Sequence, residues 1–128
     1  MKTYALAALS VSAGIALGAA AQTLRAQTRS PAYVISEIDV TNAEGYAKEY
    51  VPLAVKALAQ SGQKRLASGG KTIALSGAPP AARIVLSAFD SLDQAKAAYS
   101  SPAYLKAREI GDKYGRLRIF AVEGIAAK

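Results

Sequence analysis

The chain of 128 residues contains no cysteine and no histidine. It therefore cannot form a disulfide bond, a thiolate nucleophile, a Cys/His metal site, a Ser-His-Asp triad or an imidazole ligand to haem. Lysine and arginine together number 16, against 9 aspartate and glutamate residues, so the chain is basic. These absences leave tyrosine and arginine as the main residues available for binding or catalysis, and we expect neither a metal ion nor a cofactor.

The first 21 residues have the composition of an export signal. Met1-Lys2 is a short basic start, and no charged residue follows until Arg25. Ala19-Ala20-Ala21 gives a small-x-small cleavage pattern, and a weaker second cleavage position follows Ala26. Residues 1–21 are therefore predicted to be a signal peptide, and the mature protein is predicted to be periplasmic or secreted.

A retained inner-membrane anchor is the alternative interpretation of this segment. Tyr4–Ala21 is uncharged, and at ~1.5 Å per residue its helix would span roughly 27 Å, just short of a hydrocarbon core. Many of its residues are alanine, which is only weakly apolar, and this favours cleavage. Contact with a membrane is expected only if the segment is retained.

Hydrophobic periodicity and turn residues divide the rest of the chain. Residues 22–31 are polar and predicted to be a flexible tether, and residues 32–128 are predicted to form one domain. Capping boxes at Thr41-x-x-Glu44 and Ser91-x-x-Gln94, and a Ser101-Pro102 start, each predict a helix. The predicted strands are 32–38, 64–67, 71–75, 83–89 and 116–123. The first predicted helix runs from Thr41 to Gly62 with a break at Pro52. The second begins after Ser91 and ends at Tyr99, and the third begins after Ser101 and ends at about Tyr114.

This order predicts an α+β fold of the ferredoxin-like β-α-β-β-α-β type, an antiparallel sheet with helices on one face. Strand 83–89 carries apolar side chains on both faces, Ile84 and Leu86 on one and Val85 and Phe89 on the other. Strand 116–123 alternates in the same way. Because a lone domain would expose one face of the sheet to water, we expect a second copy of the chain to cover it, as a homodimer.

Several motifs resemble the DUF1330 family of small bacterial proteins, over about residues 32–125. They are Ala32-Tyr33-Val34-Ile35, Tyr46 and Tyr50 with Val51-Pro52, Leu66-Ala67-x-Gly69-Gly70-Lys71, Phe89-x-Ser91-x-x-x-Ala95-x-x-x-Tyr99-x-Ser101-Pro102-x-Tyr104, and Val122-Glu123-Gly124. The resemblance implies a dimeric α/β barrel, in which two ferredoxin-like subunits pack their sheets together. It implies no defined activity, although the wider superfamily includes cofactor-free monooxygenases and haem-dependent relatives.

Three positions depart from the usual pattern of that family. A Gly-Gly at the end of the first helix is Gly62-Gln63 here, an arginine before the turn glycines is Ser68, and an acidic residue before the strand-ending phenylalanine is Ala88. If those polar residues form a site in relatives, this protein lacks that site or uses a different one.

Four residues are the candidate ligand-binding site. Tyr104 and Arg108 lie one helical turn apart, and Tyr99 and Tyr46 are expected in the same layer between helices and sheet. An arginine beside phenols would suit a carboxylate or an enolate, since arginine offers a bidentate pair of donors and tyrosine a single one. The alternative is that the tyrosines are core residues and Arg108 is a surface or interface charge.

These features predict an exported homodimer that binds a small organic ligand without catalysis. One alternative is a cofactor-independent monooxygenase- or isomerase-like enzyme acting on a small organic acid, and another is a structural assembly module. Nucleic-acid binding is not expected, because the basic residues are spread over strands and helices rather than gathered with aromatic residues in one patch. They are Lys64, Arg65, Lys71, Lys113, Arg116 and Arg118.

Overall fold

A computed structural model describes residues 29–127, and Ser30–Ile125 form one compact unit. The predicted signal peptide and most of the predicted tether lie outside the described residues. None of the helices within the described range is long and apolar enough to cross a bilayer.

The unit is a four-stranded antiparallel sheet with helices packed on one face, so the predicted ferredoxin-like α+β fold is confirmed. The strands lie in the order β2-β3-β1-β4, and the sheet is open. The strands are β1 (Ala32–Val40), β2 (Lys64–Ser68), β3 (Arg83–Phe89) and β4 (Gly115–Glu123). The helical segments are α1 (Ala43–Gly45), a π-helical segment (Tyr46–Tyr50), α2 (Val51–Gln60), α3 (Leu92–Tyr99) and α4 (Pro102–Tyr114).

The predicted hairpin between strands 64–67 and 71–75 is wrong. Residues 71–75 form no strand, and β2 pairs with β3 instead, in an antiparallel register that places Lys64 opposite Ala88. The reason is that β3 offers β2 an antiparallel partner, whereas no strand among the described residues pairs with 71–75. The sheet therefore has four strands rather than five.

The first helix begins and packs differently from its prediction. Asn42, not Thr41, caps it, and the Asn42 side chain accepts a hydrogen bond of 3.0 Å from the Gly45 N–H. The π-helical segment places an extra residue in one turn, which shifts the phase of everything that follows. Leu53, which an uninterrupted α-helix would place on the face of Tyr46 and Tyr50, is therefore 44% exposed, and Ala54 is buried in its place.

The later helices follow the predicted bounds closely. Ser91 and Ser101 cap α3 and α4 by accepting hydrogen bonds from the N–H groups of Gln94 and Tyr104. The first residue of α3, Leu92, is 40% exposed, and the helix packs through Ala95 and Ala98.

The two faces of the sheet are both apolar, as predicted. Side chains from alternate positions of β1, β3 and β4 pack under the helices, and Val34, Ile38 and Phe89 are buried there. The opposite face, here called the open face, carries Tyr33, Ile35, Ile84, Leu86, Phe120 and Val122, paired across β1 with β3 and β4. Phe120 and Val122 are 42% and 51% exposed, so the single chain leaves this face uncovered.

Candidate functional site

A cavity lies between the helices and the sheet, with a volume of about 50 Å³. Because a single water molecule needs about 10–15 Å³, the cavity has room for on the order of four water-sized groups. One wall is apolar and includes Ala54, Val55 and Leu58, mostly from α2. The other wall is polar and comes mainly from β1, β2 and β3.

Four tyrosines converge on this cavity: Tyr46, Tyr50, Tyr99 and Tyr104. The π-helical segment carries the first two, and its wide turn brings their ring centroids to 5.2 Å. The rings of Tyr99 and Tyr104 meet edge to face, with centroids 4.7 Å apart. The hydroxyl oxygens of Tyr50 and Tyr104 are 3.4 Å apart, so phenols from two helices form one polar group in an apolar layer.

Gly111 makes this arrangement possible on the α4 side. A Cβ at that position would lie 2.7 Å from the ring of Tyr50, closer than real Cβ contacts allow. The absence of a side chain at Gly111 therefore lets the Tyr50 ring lie against α4, next to Tyr104.

Positive charge in the cavity lining comes from Arg65 and from Arg83, the arginine that lies against the tyrosines. Arg83 lies at the start of β3, on the same face as Val85 and Phe89, and its Cζ is 5.8 Å from the centroid of the Tyr46 ring. Its Nη2 donates to Ser68 Oγ at 3.2 Å, while its buried Nε has no hydrogen-bond partner. Among residues 29–127 Arg83 forms no ion pair with a carboxylate. The guanidinium thus faces the cavity with spare donor capacity and uncompensated charge.

Gly69 lets the Arg83 side chain lie where it does. The residue has a φ of +70°, which favours glycine, and a Cβ there would collide with Arg83 Nη1. One of the two turn glycines in the sequence pattern thus has a direct role in placing the cationic group.

The phenols of the cavity are held in their neutral form. Burial raises the pKa of Tyr50, and the nearby Tyr104 adds to the rise. Burial also raises the pKa of Tyr46 and of Tyr99, although the charge of Arg83 opposes the rise at Tyr46. These three hydroxyls therefore remain proton donors at neutral pH and do not act as bases.

The structure brings three of the four predicted site residues together. Tyr46, Tyr99 and Tyr104 all line the cavity, whereas Arg108 does not. Its Nε donates to Asp112 at 2.8 Å, and its Nη2 donates to the Leu117 carbonyl at 3.0 Å. Burial alone would lower the pKa of the Arg108 guanidinium, but the hydrogen bond that it donates to Asp112 raises that pKa.

Six polar residues of the cavity were not in the predicted site: Ser36, Tyr50, Gln63, Arg65, Ser68 and Arg83. Arg83 and Ser36 point under the helices from β3 and β1, and Gln63 donates to the Tyr99 hydroxyl at 3.4 Å. Strand alternation carried a signal for Arg83, which shares the parity of Val85, Ser87 and Phe89. Because arginine is rarely found on the core face of a strand, this position is recognisable from the sequence as a candidate site residue.

Glu37 and Asp39 lie together on the open face, outside this cavity. Arg118 forms an ion pair with Glu37 at 3.1 Å, and Arg116 is opposite Asp39 in the register of β1 and β4. No cluster of three potential metal-binding side chains occurs in the described part of the chain.

Comparison with known proteins gives a family and a fold. The model of DUF1330, a domain of unknown function, matches residues 31–125. The structure is similar to RPA0582, a protein of unknown function from Rhodopseudomonas palustris, with a TM-score of 0.60 and 15% identity over 84% of this chain and 92% of that one. No curated protein matches the sequence.

Two further solved structures are similar to this chain. SnoaB, a cofactor-independent oxygenase from Streptomyces nogalater, has a TM-score of 0.52 and 8% identity over 73% of this chain and 91% of its own. A dimeric protein of unknown function from Bacteroides fragilis, with a ferredoxin-like fold, has a TM-score of 0.42 and 13% identity over 73% and 95%. At such identities the similarity concerns the fold alone.

Proposed function

The chain belongs to the DUF1330 family of domains of unknown function, and since that membership names no ligand, we propose a function from the cavity: it binds a small organic anion without catalysis. The observation that carries this proposal is Arg83. A buried guanidinium nitrogen without a partner, beside a cavity, is costly unless a ligand completes its hydrogen bonds.

A small carboxylate or enolate fits both walls of the cavity. Its oxygens would accept hydrogen bonds from Arg83 and from the neutral phenols, and its carbon atoms would contact Ala54 and Leu58. The volume of about 50 Å³ accommodates a ligand of a few non-hydrogen atoms, on the scale of acetate or propionate.

Binding is favoured over catalysis by the identity of the lining residues. Among residues 29–127, no carboxylate lines the cavity, and the chain has no histidine. Because burial holds the phenols neutral, the cavity has no group ready to accept a proton from a substrate. A purely structural module is disfavoured as well, since four tyrosines and two arginines line this layer together with its aliphatic side chains.

The alternative function is cofactor-independent chemistry on a small enolisable acid. The pairing of the Tyr50 and Tyr104 hydroxyls near a guanidinium favours it, because such donors would stabilise a developing enolate oxygen. This alternative requires a base from outside the described cavity.

A titration of small anions tests the proposed function. We expect acetate, propionate and pyruvate to bind and to raise the melting temperature. Because the phenols remain protonated and arginine remains charged, affinity should be constant between about pH 6 and pH 9, and should fall only as the ligand's own carboxylate is protonated near pH 4–5.

Calorimetry gives the affinities, and equal amounts of chloride and sulfate control for ionic strength. Failure of all three small carboxylates to bind would contradict the proposal. NMR of pyruvate in D₂O with the same protein tests the alternative, since exchange of the methyl protons above the protein-free rate would indicate enolisation and therefore catalysis.

The open face supports the further proposal of a homodimer. A second copy would cover Phe120 and Val122, which the single chain leaves about half exposed. The face also carries both signs of charge, with Glu37 and Asp39 beside Arg116 and Arg118. A two-fold dimer needs such a self-complementary surface, because each patch meets a copy of itself.

We also propose that the protein is exported and loses residues 1–21. The basis is the leader composition alone: a basic start, an uncharged alanine-rich run and small residues before Gln22. N-terminal sequencing of the envelope fraction should begin at Gln22, or at Gln27 if the second position is used. A sequence beginning at Met1 would instead indicate a retained segment.

A further inference from the structure

The segment of residues 71–75, here called the arm, has no partner within the described chain. It lies in the connection between β2 and β3, where residues 69–80 are all exposed and have no regular structure. Ile73 and Leu75 are 78% and 88% exposed, far more than the large aliphatic residues of the open face. A connection of this length without secondary structure is uncommon in a compact domain and commonly has a binding role.

The chain returns from the arm to the domain on the side of the open face. Pro79, Pro80 and Ala81, which follow it, border a groove of about 470 Å³. The opposite wall of that groove includes Glu37 and Arg118, whose side chains belong to the open face. The arm is therefore attached beside the surface on which a second sheet would pack.

The sequence of the arm suits an extended conformation against an apolar surface. Thr72 and Ile73 are β-branched, and in an extended segment Ile73 and Leu75 point to the same side. This is the alternation that predicts a strand from sequence. The single chain gives that strand nothing to pair with or cover.

We propose that in the homodimer each arm extends across the partner's open face, with Ile73 and Leu75 packed beside Phe120 and Val122. The inference rests on the proposed homodimer and adds the segment that holds the two copies together. Two-fold symmetry would place both arms equivalently, so the contact closes and no further copy is recruited. In this dimer, the sheet and the arm of one copy together cover the open face of the other copy.

Limited proteolysis of the unaltered protein reports on the arm directly. Trypsin cleaves after Lys71, at the start of the arm. Light scattering first locates the concentration at which monomer and dimer are equally populated. The rate of cleavage at Lys71, measured by mass spectrometry below and above that concentration, should fall several-fold in the dimer because extended segments held against a surface are poor substrates.

A matched pair of variants separates the arm from the rest of the interface. Ile73→Asp/Leu75→Asp should raise the dimer dissociation constant by on the order of 100-fold, since two buried aliphatic side chains are lost. Ser76→Asp adds a charge just beyond the arm and should change that constant less than about threefold. Both variants should fold, because the altered side chains are exposed in the single chain.

The outcomes distinguish failure of the arm from failure of the dimer. A wild-type protein that is monomeric at every concentration overturns both proposals. A dimer whose cleavage at Lys71 does not depend on concentration, and which the double variant weakens no more than Ser76→Asp does, overturns the arm and leaves the homodimer standing.

Discussion

Replacing Phe89 with alanine is expected to lower the free energy of unfolding by about 3–5 kcal/mol. Phe89 is 2% exposed on the helix side of the sheet, and its ring meets that of Tyr99 with centroids 6.1 Å apart. The neighbours on β1 and α3 are mainly alanines, which cannot extend to fill the space left behind. In a domain of this size such a loss is a large part of the total stability.

The second phenylalanine of the chain provides the matched control. The sequence contains two, and Phe120 lies on the opposite face of the sheet, 42% exposed. Phe120→Ala removes the same side chain but leaves no cavity in the single domain, so its cost there should be below about 1 kcal/mol. Its effect should instead appear in the dimer, as a dissociation constant raised by about tenfold.

Urea unfolding followed by circular dichroism at low and high protein concentration measures both effects. The deficit of Phe89→Ala relative to wild type should be the same at both concentrations. The deficit of Phe120→Ala should appear only at the high concentration, where the homodimer contributes stability. A Phe120→Ala variant equally destabilised at both concentrations would show that the open face contributes to the single domain and not to an interface.

Local chemistry made the strands and two of the helix starts predictable. Strand 83–89 has its predicted bounds because β-branched and aromatic residues fill it and a phenylalanine ends it. Ser101-Pro102 fixes the start of α4, and Gly115 follows its last residue, so that helix is bounded by its own sequence. These features depend on a few adjacent residues, which a single sequence displays in full.

Features that depend on distant contacts were not predictable. A π-helical turn has no local signature here, and the shift that buries Ala54 in place of Leu53 follows from packing on the sheet. The strand predicted at 71–75 is a second example. Its residues alternate as they do in a strand, but β2 pairs with β3 instead. A pattern gives the preference of a segment, and the rest of the fold decides whether a partner is within reach.

The candidate site shows the same division. The three tyrosines were predicted from their place on helix faces, and the structure gathers them with Tyr50 around one cavity. Arg108 was predicted as the cationic residue from helical spacing, which places it near Tyr104. Spacing cannot show that the guanidinium of Arg108 already donates hydrogen bonds to Asp112 and to a backbone carbonyl. Arg83 is distant in sequence from those tyrosines, and only the register of β3 brings it beside them.

Arg83→Met should therefore separate ligand affinity from stability. In the proposed complex the guanidinium makes charge-assisted hydrogen bonds worth about 1.5–3 kcal/mol, so the variant should bind acetate or propionate about 10- to 100-fold more weakly. In the ligand-free protein the same residue buries a donor without a partner. Removing that donor offsets the loss of the Ser68 hydrogen bond, and we expect the free energy of unfolding to be unchanged or higher.

Two further variants identify what Arg83 contributes. Arg83→Lys keeps the charge but loses the planar pair of donors, so its affinity should lie between those of wild type and Arg83→Met. Arg29→Met removes a positive charge from an exposed position before β1 and should change neither affinity nor stability. Calorimetric titrations and urea unfolding of all four proteins give both quantities. If Arg83→Met loses stability and binds carboxylates as well as wild type does, then Arg83 holds the fold together and the anion site lies elsewhere.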